Sequence, residues 1–340
     1  MQSLKATALE PTRAEMSSMG TSERLFRLAA IYGLPILTVM LVIAFSLALP
    51  RTYPTLLNAR SILSNQSITA LLALAAMVPM MAGRIDLTVG YGIVLWHILA
   101  ISLQTIYGVP WVMACIIVLI GGGLLGFLNG ILVEFAQIDS FIATLGTGTI
   151  TYAVALWHTG GQQVTGNFSQ GFLDISGVWI FGFPIAAIYV LALAILLWLA
   201  SERMPIGRYI YAIGASPKAA ALNGLQVRKY VIGTFITSGL ITAFAGIVLA
   251  SKLEIGQATV GLNFLLPALV GAFLGTTTIK PGRVNVWGTV VGVLILGVGI
   301  SGIQQLGGSY YVEPLFNGIT LIIAIGIAAY TQRRGASKRA

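Results

Sequence analysis

Long apolar runs separated by short polar segments dominate the chain. A bilayer core requires roughly 17–25 apolar residues per helix, and ten runs reach or approach that length: 29–49, 67–82, 91–106, 109–133, 141–157, 181–199, 231–250, 264–277, 286–306 and 314–330. The first run is too long and too far from the start for a signal peptide. The pattern predicts an all-α polytopic membrane protein with about ten transmembrane helices, of which the second, third and eighth are short.

The composition supports this prediction and excludes other classes. Of the 340 residues 57% are hydrophobic and only 9% are charged, whereas an average soluble domain is about 25% charged. These values exclude a cytosolic enzyme and a disordered chain. Cys115 is the single cysteine and lies in an apolar run, so it cannot form an internal disulfide and is expected to pack in the core.

The net charge of +9 comes from basic residues whose distribution indicates the membrane topology. If residues 1–27 are a cytoplasmic tail and ten helices follow, only Arg51, Arg60 and Lys252 of the 19 Lys and Arg residues lie outside. This split follows the positive-inside rule and predicts two cytoplasmic termini. It divides the chain into the tail, a transmembrane region 28–330 with a large cytoplasmic loop 201–230, and a basic tail 331–340. Nucleic-acid binding is not expected.

Glycine spacing predicts close helix packing. Gly122, Gly126 and Gly130 recur every four residues in the fourth run, and Gly288 and Gly292 do so in the ninth. Small residues at this spacing let two helix backbones approach in a membrane. These glycines are assigned a packing role and no chemistry.

The chain carries no recognisable energy source. No acidic residue lies at the centre of a predicted span, so a titratable relay is not expected. His97 and His158 lie near span ends and are read as hydrogen-bonded helix residues in preference to proton carriers. The dipeptide Gly-Lys of a P-loop is absent, as are GxSxG, HExxH and paired cysteines. No catalytic residue, metal site or cofactor is therefore expected, and uphill transport would need another polypeptide.

The 201–230 segment contains a predicted helix. Ser216 suits an N-cap, Pro217 suits the first helical position, residues 218–223 favour helix, and Gly224 suits the C-terminal stop. The alanines at 219, 220 and 221 are expected on the surface of this helix. A short rigid helix with small side chains could seat in a groove of a partner, and an ordinary capped loop helix is the open alternative.

Seven collinear motifs resemble one protein family. They are GRYIYAIG at 207–214 with NGLQV at 223–227, GRIDLTVG at 83–90, GFLNGILV at 126–133, FIATLG at 141–146, TGGQ at 159–162, PALVGAFLG at 267–275 and GTVVGVLILG at 288–297. Together they resemble ABC-transporter permeases of the ribose/monosaccharide importer family over roughly residues 60–330. Arg84 and Thr88 stand where that family usually has Gly and Ser, and residues 275–283 replace its glycine-rich turn, which leaves the substrate subgroup and partner contacts open.

The resemblance implies partners and site residues. Such permeases are ten-span subunits of the bacterial inner membrane that pair as homodimers or heterodimers, bind cytoplasmic ATPase subunits that use ATP and Mg²⁺, and receive solute from a periplasmic binding protein. By this resemblance and the helix signals, the ATPase-coupling loop comprises Gly207, Arg208, Ser216, Pro217, Ala219, Ala220, Leu222 and Gly224.

A second family element lies between the second and third spans, with Gly83, Asp86 and Gly90 as its matching residues. Asp86 is expected to be a helix N-cap that accepts from the amides of Thr88 and Val89, with substrate contact as the alternative.

The pathway of a neutral sugar or polyol needs hydroxyl partners and apolar faces. Candidates on the fourth and fifth spans are Asn129, Thr144, Thr149, Tyr152 and Trp157, although polar residues in spans also serve as contacts between helices. The expected function is the membrane subunit of an ATP-driven sugar or polyol importer. Alternatives are a permease for branched-chain amino acids or another small solute, a facilitator or channel that acts alone, and an intramembrane enzyme, which lacks a nucleophile–base pair.

Overall fold

The computed structural model describes residues 21–309 and 311–337, and it is mostly helical. The helices are α1 (Thr21–Ala48), α2 (Leu56–Met81), α3 (Thr88–Thr105), α4 (Trp111–Glu134), α5 (Ser140–Thr159), α6 (Gln170–Gly177), α7 (Ile185–Trp198), α8 (Pro205–Ala215), α9 (Pro217–Leu222), α10 (Val227–Leu253), α11 (Ala258–Gly261), α12 (Leu265–Leu274), α13 (Val286–Gln305) and α14 (Val312–Ser337). Strands β1 (Trp179–Ile180) and β2 (Phe183–Pro184) form an antiparallel hairpin before α7.

Within the described residues, seven helices are long and apolar enough to cross a membrane: α2, α3, α4, α5, α7 with the π-helical turn Leu199–Arg203, α10 and α13. Three shorter apolar stretches, Tyr32–Ala48, Ala258–Leu274 and Val312–Ile323, lie at the first, eighth and tenth predicted spans. The eighth is interrupted by a 3-10 turn, Leu262–Phe264, between α11 and α12.

Three boundaries differ from the prediction. Helix α2 begins at Leu56 instead of Ser67, because residues 56–66, which mix apolar and polar side chains, are also helical. Residues 181–184 belong to the hairpin, where Phe181 and Gly182 have positive φ angles, so the all-α prediction is wrong in this detail. Residues 331–337 of the predicted C-terminal tail continue α14. Residues 338–340 and most of the predicted N-terminal tail lie outside the described residues.

Helices α2 and α10 form the centre of the bundle. Every residue of α2 from Ser67 to Pro79 is buried, which is expected for a helix that is apolar on all faces. Helix α10 packs against α2, α3 and α4 and buries Phe235 completely. The central position of these two helices brings segments that are distant in sequence together at both ends of the bundle.

The glycine stripes pack as predicted. A Cβ at Gly122 or Gly126 of α4 would overlap the backbone of α10 at Gly239 and Phe235. The stripe on α13 packs in the same way, with Gly288 and Gly292 against the backbone of Gly275 and Gly271. Both stripes therefore mark contacts where one helix backbone lies directly on another.

The connections lie at two opposite ends of the bundle. We call the end that carries residues 201–230 the loop end, and contacts between connections place 82–87, 135–139 and 275–285 there as well. We call the other end the far end. Contacts there join residues 160–184 to 251–257, and the first turns of α2 to the last turns of α10 and α13.

Candidate functional site

The predicted helix in the 201–230 segment is confirmed as α9. The Ser216 hydroxyl accepts from the amide of Ala219 at 3.3 Å, and Pro217 occupies the first turn. Gly224 ends the helix region with φ of +80°, a left-handed conformation that favours glycine. Ser216 and Pro217 therefore define the start of this short helix, and Gly224 follows its end.

The exposed face of α9 differs in one residue from the prediction. Ala219 and Ala221 are exposed, and Leu222 is 90% exposed. Ala220 is buried, at 5% exposure, because that face of the helix packs against the core. The exposed surface of α9 thus includes Ala219, Ala221 and Leu222, and the expectation that Ala220 belongs to it is wrong.

Helix α8 precedes α9 and was not predicted. It is amphipathic, with Ile210 and Ile213 buried and Arg208 exposed. Gly207 is buried against the backbone of Ser201, where any Cβ would overlap. The sequence does contain a signal for this helix: Pro205 suits the first helical position, and the apolar residues Ile210 and Ile213 follow at helical spacing.

The end of α8 touches the start of the 83–90 element. A Cβ at Gly214 would overlap the carbonyl oxygen of Met81, and a Cβ at Gly83 would lie 3.3 Å from the carbonyl oxygen of Gly214. Gly83 also has φ of +72°. Only glycine permits this backbone contact, which joins the unit formed by α8 and α9 to the connection between α2 and α3.

Asp86 lies in the interior, with only 1% of its surface exposed. Its Oδ1 accepts from the Thr88 amide at 2.9 Å and from the Thr88 hydroxyl, and its Oδ2 accepts from the Ser238 hydroxyl of α10 at 2.7 Å. The expected contact with Thr88 is confirmed. The N-cap position of α3 belongs to Leu87, however, and the amide of Val89 is not a partner of Asp86.

Two of the predicted pathway residues join this interior network. Asn129 Nδ2 donates to Thr88 Oγ1 at 3.2 Å, and Thr147 Oγ1 donates to Asn129 Oδ1 at 2.7 Å. Thr144 Oγ1 accepts from the amide of Leu87 at 3.0 Å. Asn129 and Thr144 therefore connect α3, α4 and α5, and Gly90 of the same element packs against Leu265 of α12.

The other three candidates lie toward the surface of α5. Thr149 is exposed and donates to the carbonyl of Leu145 at 2.8 Å. Tyr152 is half-buried, with its ring 6.4 Å from that of Tyr91, and Trp157 is 83% exposed. The five predicted pathway residues thus do not converge on one cavity.

An ionic cluster fixes the loop end. Glu202 binds Lys280 at 2.5 Å and Arg283 at 3.5 Å, and the Arg283 guanidinium lies 3.5 Å from the centre of the Tyr211 ring. Tyr211 donates to the carbonyl of Val284 at 2.8 Å. Burial raises the pKa of the Tyr211 phenol, and the positive charge of Arg283 acts in the opposite direction. These contacts tie α8 to the connection between α12 and α13.

Both histidines occupy structural environments. His97 is fully buried; its Nδ1 lies 3.0 Å from the carbonyl of Ile93, and its Nε2 accepts from the amide of Gln257 at 3.0 Å. The prediction of a hydrogen-bonded helix residue is confirmed for His97, which lies in the middle of α3 and not near a span end as expected. The ring of His158 stacks on Tyr107, but its buried Nε2 has no hydrogen-bond partner among the described residues, so the hydrogen-bonded role is not confirmed for His158. In the part of the chain that the structure describes, no group of three His, Cys, Asp or Glu side chains could hold a metal ion.

A cavity of about 650 Å³ opens at the far end, between α2, α10, α12 and α13. Its lining is rich in carboxamide and hydroxyl groups. The polar lining residues are Asn58, Ser61, Asn65, Gln66, Thr69, Lys252, Asn263, Ser301, Gln304, Gln305 and Glu313.

Comparison with known proteins identifies the family. The family model described as branched-chain amino acid transport system / permease component matches residues 58–325. The chain is a permease of this family. Its relatives include the ribose import permease RbsC of Bacillus subtilis, which is 32% identical over 270 residues, covering 79% of this chain and 84% of the relative.

Two further relatives of the permease come from Escherichia coli. The D-allose transport system permease AlsC is 29% identical over 296 residues, with 87% of this chain and 90% of the relative covered. The autoinducer 2 import permease LsrD is 27% identical over 304 residues, with 86% and 91% covered. No solved structure is significantly similar to the chain. The resemblance to monosaccharide-import permeases is confirmed.

Both departures from the family pattern form ion pairs within the permease. Arg84 binds Glu134 at the end of α4 at 2.9 Å, and Lys280 and Arg283 bind Glu202 as described above. Arg84 and Lys280 thus contact the chain's own carboxylates at the loop end. These ion pairs join the 82–87 connection to the end of α4 and the 275–285 connection to Glu202.

Proposed function

We propose that this permease is the membrane subunit of an ATP-binding-cassette importer for a neutral monosaccharide or polyol. The observation that carries the proposal is α9, a capped helix that presents Leu222 and Ala219 at the loop end. An exposed leucine on a short helix can anchor that helix in an apolar groove of a partner protein. The printed names of relatives that import ribose and D-allose support the sugar class.

The proposed topology has ten crossings with both termini in the cytoplasm of a bacterium. Seven helices and three shorter apolar stretches supply the crossings, and their connections alternate between the two ends of the bundle. The loop end carries Arg84, Arg208, Lys218, Lys280 and Arg283, so the positive-inside rule assigns it to the cytoplasm. The far end then faces the periplasm.

Several partners follow from this topology. A cytoplasmic ATPase subunit that uses ATP and Mg²⁺ would bind the exposed face of α9, since the chain contains no P-loop of its own. A periplasmic solute-binding protein would deliver the solute at the far end, and a second permease subunit would complete the assembly. Lipid would cover exposed apolar residues such as Ile116, Ile120 and Leu124 of α4.

The contacts offer a route by which movement of α9 reaches the interior. Helix α9 is continuous through Ser216 with α8, whose Gly214 lies on Gly83. The 83–90 element then binds α10 through Asp86 and Ser238. A rigid unit joined to a buried network in this way can transmit displacement if the network has two discrete arrangements.

The substitution Leu222→Asp tests the docking surface. It places a charge where the proposal puts an apolar contact, so ATP-driven sugar uptake by cells that express the complete importer should fall about tenfold or more, because an unpaired charge would be buried in that contact. The amount of permease in the membrane should not change. Ile106→Asp is the matched control, because Ile106 is also exposed but lies beyond α3 at the far end.

Three results would contradict the proposal. Normal uptake with Leu222→Asp would remove α9 as the coupling surface. Sugar flux into liposomes that contain the permease alone, without ATP, would favour the facilitator alternative. Transport of leucine in place of a sugar would favour the branched-chain amino acid alternative that the description of the family model suggests.

A further inference from the structure

The far-end cavity has the size of a small-molecule site. Its volume of about 650 Å³ lies within the range of roughly 300–1,000 Å³ that is typical of ligand pockets. Most of its wall comes from α2, α10 and α13, and the 3-10 turn Leu262–Phe264 contributes Asn263 and Phe264. A solute that entered from the far end would reach this cavity before the buried centre of the bundle.

One wall is a polar stripe on α2. Asn58, Ser61, Asn65 and Thr69 recur at spacings of three and four residues and therefore lie on one face of the helix. Polar side chains in a membrane helix are costly when they face lipid, and they usually face a partner or a water-filled space. Here the stripe faces the cavity.

The charged residues at the cavity already have partners. Lys252 Nζ donates to the carbonyl of Ser64 at 2.9 Å and to Asn65 Oδ1 at 3.2 Å, and Gln304 Nε2 donates to Glu313 Oε2 at 3.4 Å. The amides of Asn58 and Gln305 are joined at 2.8 Å. A ligand with fixed charges would have to compete with these contacts.

Uncharged polar groups remain available. Among the described residues, the side chains of Gln66, Thr69 and Asn263 have no hydrogen-bond partner, although Thr69 is only 4% exposed. Gln305 Oε1 is buried and also has no partner there. A carboxamide both donates and accepts, as does a hydroxyl, so these groups complement the hydroxyls of a polyol.

The remaining wall is apolar. Phe264, Leu253 and Pro267 are among the apolar residues that line the cavity. A sugar ring has C–H faces that suit such a surface and hydroxyl edges that suit the amides. Ligand sites commonly combine apolar walls with a few convergent polar groups.

We propose that this cavity binds a neutral polyhydroxylated solute, such as a monosaccharide, on its way through the permease. Gln66, Thr69, Asn263 and Gln305 contact its hydroxyl groups, and Phe264 contacts a face of its ring. The assignment rests on the proposed function for the solute class. It adds the place and the residues that receive the solute.

A cysteine-protection experiment tests the cavity directly. In a Cys115→Ser background, which removes the single native cysteine, Ser301→Cys puts a thiol in the cavity wall and Ser309→Cys puts one outside it. The full-length permease in nanodiscs, without ATPase, reacts with a polar maleimide in the presence of D-ribose, D-allose, D-xylose or D-galactose. At about ten times the Kd, one sugar should slow labelling of Ser301→Cys about tenfold, because only the unoccupied fraction reacts. Labelling of Ser309→Cys should not change.

A second pair of variants identifies the contacts. Gln66→Leu combined with Asn263→Leu removes two unpartnered amides, and the sugar concentration for half-protection should rise about tenfold. Gln162→Leu removes an exposed amide in another part of the chain and should leave that concentration unchanged. An unchanged concentration in the double variant would overturn the assignment of these residues.

The outcomes separate the two proposals. If none of the sugars protects Ser301→Cys while ATP-driven uptake of a sugar is intact, the cavity assignment is overturned and the proposed function stands. If leucine protects and the sugars do not, the polyol class is overturned. If a sugar protects but crosses liposomes without ATPase, the cavity assignment is supported and the ATP-driven function is overturned.

Discussion

Asp86 places a carboxylate among hydroxyl groups in the interior of the bundle. Three donors from Thr88 and Ser238 satisfy its two oxygens, and Asn129 extends the network to α4. A buried carboxylate is tolerated when hydrogen bonds replace its water. The residue therefore acts as a junction that holds the 83–90 element against α10.

Replacement of this junction should destabilise the permease. Asp86→Asn removes the carboxylate charge and turns one acceptor oxygen into an amide donor. The hydrogen bonds from Thr88 and Ser238 then lose their charge assistance, so the free energy of unfolding should fall by about 1–3 kcal/mol. Denaturation of the purified permease, followed by tryptophan fluorescence, measures the change.

Asp174→Asn serves as the comparison for that measurement. Asp174 is exposed on α6 and accepts only from Gln170 at 2.8 Å, so this variant should stay within about 0.5 kcal/mol of the parent. Equal stability of the two variants would show that the network around Asp86 contributes little.

The sequence predicts the local half of this junction only. Thr88 is two residues from Asp86, and a contact at that distance follows from backbone geometry. Ser238 is 152 residues away, and no local pattern places it there. The same limit explains the pathway prediction for Asn129 and Thr144, since residue type does not show whether a polar side chain faces a cavity or another helix.

At the scale of elements, glycine spacing predicts which face of a helix is packed but not which helix packs on it. The stripe on α4 meets α10 at Gly239, Phe235 and Ile232, more than a hundred residues later in the chain. Because lipid provides no hydrophobic force between helices, this backbone contact contributes much of the attraction between α4 and α10.

Gly126→Val should separate these two helices. The new Cβ would overlap the carbonyl oxygen of Phe235, so overpacking should cost about 1–3 kcal/mol, measured as a lower midpoint of unfolding in mixed detergent micelles. Gly233→Val in α10 makes the same chemical change where no atom lies within 4 Å of the new Cβ. Both variants replace a helical glycine by valine, so the change in helix propensity is the same for both. A similar midpoint of unfolding for the two variants would therefore contradict the packing argument.

Hydropathy identifies apolar helices and misses polar or amphipathic ones. It detected the apolar part of every helix in the predicted spans but omitted residues 56–66 of α2, whose polar face lines the far-end cavity. It also omitted α8, in which polar and buried residues alternate at helical spacing. In both segments polar and apolar residues recur at helical spacing, and averaging the hydropathy over a window of residues hides that period.

For the whole molecule, two independent patterns agree. The contacts sort the connections between α2 and α13 into two ends, and the positive charges are concentrated at one of them. A membrane potential and the insertion machinery favour positive loops on the cytoplasmic side. The proposed orientation can be tested directly at the last helix, α14, by finding on which side of the membrane each of its ends lies.

Single cysteines in the Cys115→Ser background test the topology. Asn223→Cys lies just after α9, Ser309→Cys lies before α14, and Ser337→Cys lies at the end of α14. In intact cells an impermeant maleimide should label only Ser309→Cys, because the proposed ten crossings would place the other two in the cytoplasm. Permeabilised cells should allow labelling of all three and so control for reactivity. Labelling of both Ser309→Cys and Ser337→Cys in intact cells would show that α14 does not cross the bilayer, and labelling of Asn223→Cys would place α9 outside, where no ATPase could reach it.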